Sequence, residues 1–297
     1  MFPSILPPSA AQLTESTSIQ LAQQIQQQAI ATPLKPEPIL TTYSRQGEGG
    51  TPILLVHGFD SSLFEFRRLM PLLSATRETW AVDLLGFGFT QRDPQLQINP
   101  QTIRCHLYHA WKTLINQPVV LVGASMGGAA ALDFTLSYPE AVQSLVLVDS
   151  AGIGRGPIIG KFLIPPFDTW ATEFLRNPKV RQSISENAYF NKQLASEDAR
   201  ICAALHLEMP YWNKALIRFT KSGGYGSYKT QLNKIKQQTL ILWGEQDKIL
   251  GIKDAAQFKQ AMPQAQLQWI KDCGHVPHLE QPEITAQAIL TPNPSQV

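Results

Sequence analysis

The pentapeptide Gly123-Ala124-Ser125-Met126-Gly127 constrains this chain more than any other feature. Before it runs Pro118-Val119-Val120-Leu121-Val122, a short apolar, β-branched stretch that reads as a strand buried in a parallel sheet. After it, Gly128-Ala129-Ala130-Ala131-Leu132-Asp133-Phe134 reads as a helix. A serine on so sharp a strand-to-helix turn is held in a strained backbone conformation. Small neighbours let the turn close, and the hydroxyl projects from the top of the sheet. One short motif therefore points to both an architecture and a nucleophile.

From Ile39 onward the same alternation repeats. Residues 52–56, 78–82, 145–148, 239–243 and 267–270 read as strands, and 63–73, 100–115, 252–262 and 283–290 as helices. Such a rhythm predicts an α/β protein with a parallel sheet and helices on both faces. The chemistry then belongs to loops at the carboxyl ends of the strands. Between Gly152 and Gln238 no strand is evident, but aromatics such as Phe162, Trp170, Tyr189, Trp212 and Phe219 are frequent. Residues 196–208 and 211–219 have helical character. So long an insertion is too large for a loop and predicts a helical cap, some of whose aromatics line a pocket.

Residues 9–31 are rich in Gln, Ser and Thr, with Leu13, Leu21, Ile25 and Ala29 at roughly helical spacing. They read as a weakly amphipathic surface helix, and 32–38 as a Pro-rich connector. The expected division is an N-terminal helix and linker over 1–38, a core formed by 39–151 and 239–297, and a cap over 152–238.

A net charge of +2 on 297 residues gives no reason to expect nucleic acid or an acidic polymer as partner. Cys105, Cys202 and Cys273 are odd in number and scattered, without metal-ligand spacing, so neither a disulfide framework nor a zinc site is expected. A reducing, cytoplasmic setting fits them best. The N-terminus lacks the basic residues and apolar core of a secretory signal. Residues 118–136 are apolar enough to suggest a membrane span, but their glycines and Asp133 favour the strand–turn–helix reading. No integral span is expected. The Gln-rich N-terminal segment has no cationic face to draw it to anionic lipid, although peripheral membrane contact stays open.

A serine hydroxyl needs a base to take its proton. His106 and His109 lie on an expected helix and His206 in the cap, where structural roles are the default. His275 directly follows the last strand, in Asp272-Cys273-Gly274-His275, on the same edge of the sheet as Ser125, and is the expected base. His278 would start the next turn, with a local hydrogen bond as its ordinary role. A buried carboxylate must orient the imidazole and stabilise its charge. Asp247, just after the penultimate strand, is preferred over Asp149, which also ends a strand, and over Glu245, which the turn itself would use. Oxyanion donors are expected from the backbone N–H of Met126, at a helix start, and of Phe59, in the loop His57-Gly58-Phe59. His57 would then fix that loop.

Taken together, His57-Gly58-Phe59, Asp83-Leu84-Leu85-Gly86-Phe87-Gly88, the turn at Ser125, Trp243-Gly244-Glu245-Gln246-Asp247 and Gly274-His275 resemble the α/β-hydrolase fold superfamily. The resemblance implies an eight-stranded, mostly parallel sheet, a helical cap after the sixth strand, and no cofactor or metal. Relatives with aspartate at the turn cleave carbon–halogen bonds or epoxides, and Ser125 argues against both. His57-Gly58-Phe59-Asp60-Ser61-Ser62 and Ser222-Gly223-Gly224-Tyr225 look like plastid and cyanobacterial hydrolases, some associated with phytyl esters. The leading expectation is a serine hydrolase acting on a carboxylic ester of a small, fairly apolar substrate. A carbon–carbon bond hydrolase or lyase using the same triad, and a non-catalytic ligand-binding protein, are the alternatives.

Overall fold

The computed structural model describes residues 2–154 and 165–291. Its centre is an eight-stranded sheet: β1 (Ile25–Thr32), β2 (Lys35–Gln46), β3 (Ile53–Val56), β4 (Thr79–Val82), β5 (Val119–Ala124), β6 (Val142–Val148), β7 (Gln238–Gly244) and β8 (Gln266–Ile270). Their order across the sheet is β1-β2-β4-β3-β5-β6-β7-β8. All neighbouring pairs from β4 to β8 are parallel, and β2 pairs antiparallel with both β1 and β4. This is the mostly parallel α/β architecture the alternation predicts.

The central strands are buried on both faces, so their sequences are continuous apolar runs; β3, β4 and β5 are buried at every position. Alternate residues feed two cores. Leu54, Val56 and Leu121 pack with Ile103 and Leu107 of α3 (Pro100–Leu114) and Phe134 of α4 (Met126–Ser137). Leu55 and Val122 pack with Leu21 of α1 (Ser16–Gln23) and Met70 and Leu73 of α2 (Met70–Ser74). Asn99 caps α3, accepting from the Thr102 N–H at 2.9 Å while the Thr102 hydroxyl accepts from the Asn99 N–H at 3.1 Å.

The N-terminal expectation is corrected. The helix ends at Gln23, and Ile25 to Thr32 is an edge strand whose exposed positions are Gln26, Gln27, Gln28, Ala29 and Ala31. Ile25 pairs with Ser44 and Ile30 with Ile39. Leu21, Ile25 and Ala29 happen to keep helical spacing, but long-range pairing with β2 decides the conformation. Residues 35–38 are not a connector either: they open β2, and Pro36 and Pro38 sit outside its pairing with β4, which covers Tyr43 to Gln46. The sheet therefore starts at Ile25, not Ile39. The helix expected over 63–73 splits into a 3-10 turn, Leu63–Phe66, and α2, because Pro71 is accepted only in a first turn.

Between β6 and β7 lie α5 (Phe167–Arg176), α6 (Pro178–Ala188), α7 (Glu197–Ala204), a 3-10 turn at Leu205–Glu208, and α8 (Trp212–Ser222). Phe162, singled out from sequence, lies outside the described residues. Then α9 (Lys253–Ala261) precedes β8, and the short α10 (Pro277–Glu280) and α11 (Pro282–Leu290) follow it. Among the described residues no helix is long and apolar enough to cross a membrane.

Candidate active site

Ser125 sits between β5 and α4 with φ 52° and ψ −120°, a region that costs a non-glycine residue on the order of 1–3 kcal/mol. Hydrogen bonds pin the turn: the Ser125 N–H donates to Val148 O at 3.0 Å, and the Ala151 N–H to Ser125 O at 2.9 Å. The two motif glycines are sterically required. A Cβ on Gly123 would lie 2.3 Å from Gly127 O, and one on Gly127 would lie 2.1 Å from Val56 O.

His275 follows β8 and Asp247 follows β7, and both side chains reach Ser125's edge of the sheet. His275 Nε2 is 2.9 Å from Ser125 Oγ, and Nδ1 is 3.0 Å from Asp247 Oδ2. Asp247 Oδ1 accepts the N–H groups of Ile249 at 2.7 Å and Leu250 at 3.1 Å. An acceptor-only carboxylate therefore fixes the proton on Nδ1 and leaves Nε2 to accept from the serine hydroxyl. Burial opposes ionisation of Asp247, but the His275 hydrogen bond and charge outweigh it and hold the carboxyl below its ordinary range.

Asp149 lies behind this pair. Its Oδ1 accepts the Gly244 N–H at 3.1 Å, and among the described residues its Oδ2 has no partner. Ligand atoms of Asp149, Asp247 and His275 lie within 4.8 Å of one another. Burial first, and then the Asp247 charge, push the Asp149 carboxyl well above its ordinary pKa. The geometry thus joins Asp247, and not Asp149, to the imidazole. The same three residues have metal-like spacing, yet His275 already engages Asp247 and Ser125 through its two ring nitrogens.

The loop bearing Phe59 lies against Ser125: a Cβ on Gly58 would be 3.3 Å from Ser125 Cβ. Among the described residues neither the Phe59 nor the Met126 N–H donates to a protein acceptor. His57 is structural. Its Nε2 accepts the Leu84 N–H at 3.1 Å and its Nδ1 donates to Gly58 O at 2.8 Å. Burial drives its pKa down to about 4, so it stays neutral.

Three acids that sequence reading passed over hold the site together. Glu65 Oε2 accepts the Gly58 N–H at 2.7 Å, and Oε1 lies 3.2 Å from His278 Nε2. His278 thus meets a residue far away in the chain, not a local partner. Glu280 accepts from Gly274 at 2.7 Å, Phe190 at 3.1 Å and Asn191 at 2.6 Å, tying the His275 loop to the segment after α6. Asp60, buried and at φ 48°, ties the Phe59 loop to three cap elements. It accepts the Trp212 Nε1–H at 2.7 Å, lies 3.2 Å from His206 Nε2, and pairs with Arg181. None of these contacts has a local sequence signal.

Asp60→Ala is expected to cost roughly 3–5 kcal/mol, because the buried Trp212 N–H and the largely covered Arg181 guanidinium would both lose their acceptor. The check is a thermal midpoint lowered by roughly 6 °C or more, with faster proteolysis in the segment between β6 and β7. An unchanged midpoint contradicts the role of Asp60 as the tie.

A strained serine after a buried strand, with imidazole and carboxylate in line on a mostly parallel sheet, defines a hydrolase class. The α/β hydrolase fold family matches residues 51–282, and the chain belongs to that family and is a hydrolase-fold enzyme. It is 35% identical over 235 residues to the alpha/beta hydrolase domain-containing protein VTE7 of Arabidopsis thaliana, covering 78% of this chain and 71% of that one. It is 28% identical over 241 residues to the 2-hydroxy-6-oxo-2,4-heptadienoate hydrolase of Pseudomonas putida, covering 78% and 85%. A thermophilic esterase from Thermogutta terrifontis superposes with a TM-score of 0.75 at 25% identity, over 89% of this chain and 96% of that one.

Proposed function

We propose that this chain is a serine hydrolase cleaving a carboxylic ester of a fairly apolar substrate, with Ser125 as nucleophile, His275 as base and Asp247 as orienting acid. The observation that carries the reading is the unbroken chain from Ser125 Oγ to His275 Nε2 and from Nδ1 to Asp247. Ser125 Oγ attacks the ester carbonyl as His275 Nε2 takes its proton. The oxyanion accepts from the Phe59 and Met126 N–H groups. His275 then gives the proton to the departing alcohol oxygen, leaving an acyl-serine. Water, deprotonated by the same nitrogen, releases the acid and restores the hydroxyl.

The helices between β6 and β7 act as a lid in this reading. A cavity of about 280 Å³ over Ser125 has a mostly apolar wall that includes Ile184, Ala188, Tyr189, Val276 and Leu279, with Asp60, Glu65, Arg67 and Arg181 also lining it. Larger hollows of about 480 and 560 Å³ lie elsewhere, but neither is lined by Ser125 or His275. The small apolar cavity suits one arm of an ester, with a longer chain emerging through the mouth. A prenyl- or phytyl-type ester has that form. The carbon–carbon hydrolase among the relatives keeps a second reading, cleavage of a vinylogous diketone by the same residues. The three free cysteines suit a reducing, cytoplasmic setting.

Each methylene buried in this cavity is worth about 0.8 kcal/mol, so kcat/KM for p-nitrophenyl esters is expected to rise up to about fourfold per carbon until the cavity fills. A chain-length series measures this. A flat or falling series overturns the apolar-ester reading, and turnover of a vinylogous diketone with every ester inert selects the alternative.

A further inference from the structure

Helix α5 is built inside out. Its buried residues are Asp168 and Thr172, whereas Phe167, Trp170 and Phe174 are 55%, 63% and 64% exposed. Spacings of three and four place these aromatics on one side of the helix. The polar face has a reason to point inward. Asp168 accepts from Lys221 Nζ of α8 at 2.5 Å and from the Thr169 N–H at 2.7 Å. The Thr172 hydroxyl donates to Thr169 O at 2.9 Å. The ion pair with Lys221 fixes the rotation of α5 and leaves its aromatic stripe facing water. An apolar stripe of this kind marks an interaction surface.

Charge identifies the partner. Residues 152–238 carry thirteen Lys and Arg against six Asp and Glu, while the whole chain carries 25 against 23. The cap is thus strongly basic on a protein whose remainder is acidic. Arg176 ends α5, where it pairs with Glu173 at 3.5 Å and lies over the Trp212 ring, and Lys179 lies in the first turn of α6. Large exposed aromatics on a cap with a surplus of cations match the interface of an anionic bilayer, where rings enter the headgroup region and cations meet lipid phosphates. The mouth of the Ser125 cavity is also apolar, with Phe59, Ile184 and Ile249 each 45% exposed.

We propose that the Phe167–Trp170–Phe174 face of the cap docks this protein on anionic lipid membranes. The face is independent of the chemistry at Ser125, so failure of either leaves the other standing. The test is co-sedimentation of the full chain with phosphatidylglycerol-containing vesicles and with pure phosphatidylcholine vesicles. Wild type is expected to partition at least tenfold more strongly onto the anionic vesicles. Trp170→Ala/Phe174→Ala is expected to lose at least tenfold of that partitioning while keeping the thermal midpoint and the turnover of a short water-soluble ester. Lys179→Gln is expected to reduce the preference for anionic lipid. Brominated lipid is expected to quench wild-type fluorescence more than that of Trp170→Phe. Equal partitioning of wild type and the aromatic double variant, or no binding to anionic vesicles, overturns the proposal. So does a wild-type dimer in vesicle-free solution that the aromatic double variant dissolves, which assigns the face to a second copy.

Discussion

Replacing Ser125 with alanine is expected to lower kcat/KM for esters by about 10⁴- to 10⁶-fold while leaving the fold intact. The loss is large because the substitution removes the atom that forms the acyl-enzyme, and neither His275 nor the oxyanion donors can supply another nucleophile in its place. Some acceleration over water is expected to survive through the proposed oxyanion donors, the backbone N–H groups of Phe59 and Met126. The fold survives because alanine keeps the Cβ and the hydroxyl makes no backbone bond that holds the turn; the bonds to Val148 and Ala151 belong to the main chain. Alanine inherits the strained φ of 52° and relieves none of it. Steady-state kinetics and a thermal melt on the same preparation check both halves. A folded Ser125→Ala protein that retains turnover contradicts the assignment.

Asp247→Asn is expected to cost about 10³- to 10⁴-fold in kcat, whereas Asp149→Asn should change it by no more than about threefold. The two acids lie side by side, and their protonation states separate them. Asp247 is the ionised one: despite burial, the imidazole holds its carboxyl below the ordinary range. An amide at that position can donate to Nδ1, which then turns the imidazole to the tautomer whose Nε2 carries the proton and cannot take one from Ser125. Burial and the Asp247 charge favour the protonated carboxyl at Asp149, so an asparagine reproduces its shape and still accepts the Gly244 N–H. Because the Asp149 pKa is raised, the match holds at pH values below that raised pKa and weakens only as pH climbs through it. Paired kinetics at neutral pH decide the matter. Equal losses in the two variants would mean that the acids act as one unit, and a larger loss at Asp149 would reverse their roles.

Much of this site was legible because its signals are local. A β-branched run followed by Gly-x-Ser-x-Gly and small residues admits one strand–turn–helix geometry, and Asp247 and His275 each stand directly after an apolar strand. Edge elements were harder to read. Ile25 to Thr32 exposes most of its length, so its sequence carries Gln in place of alternating apolar residues, and only pairing with β2 makes it a strand. Glu65, Glu280 and Asp60 were illegible for a different reason. Each is a buried carboxylate whose partners lie elsewhere in the chain: Glu65 meets His278, Glu280 meets Phe190 and Asn191, and Asp60 meets Arg181 and Trp212. Nothing in a window around them separates such an acid from one in solvent. Helix α5 was illegible too: nothing in its sequence tells that its aromatics are exposed and its polar side faces inward.

The central claim is that Ser125 is an activated nucleophile. Reaction with a fluorophosphonate near neutral pH, read by intact mass and peptide mapping, tests it most directly. The expected result is one adduct per chain, on the peptide containing Ser125, absent in Ser125→Ala and strongly slowed in His275→Ala. A folded wild-type protein that takes up no adduct, or one that carries it on another residue, contradicts the account.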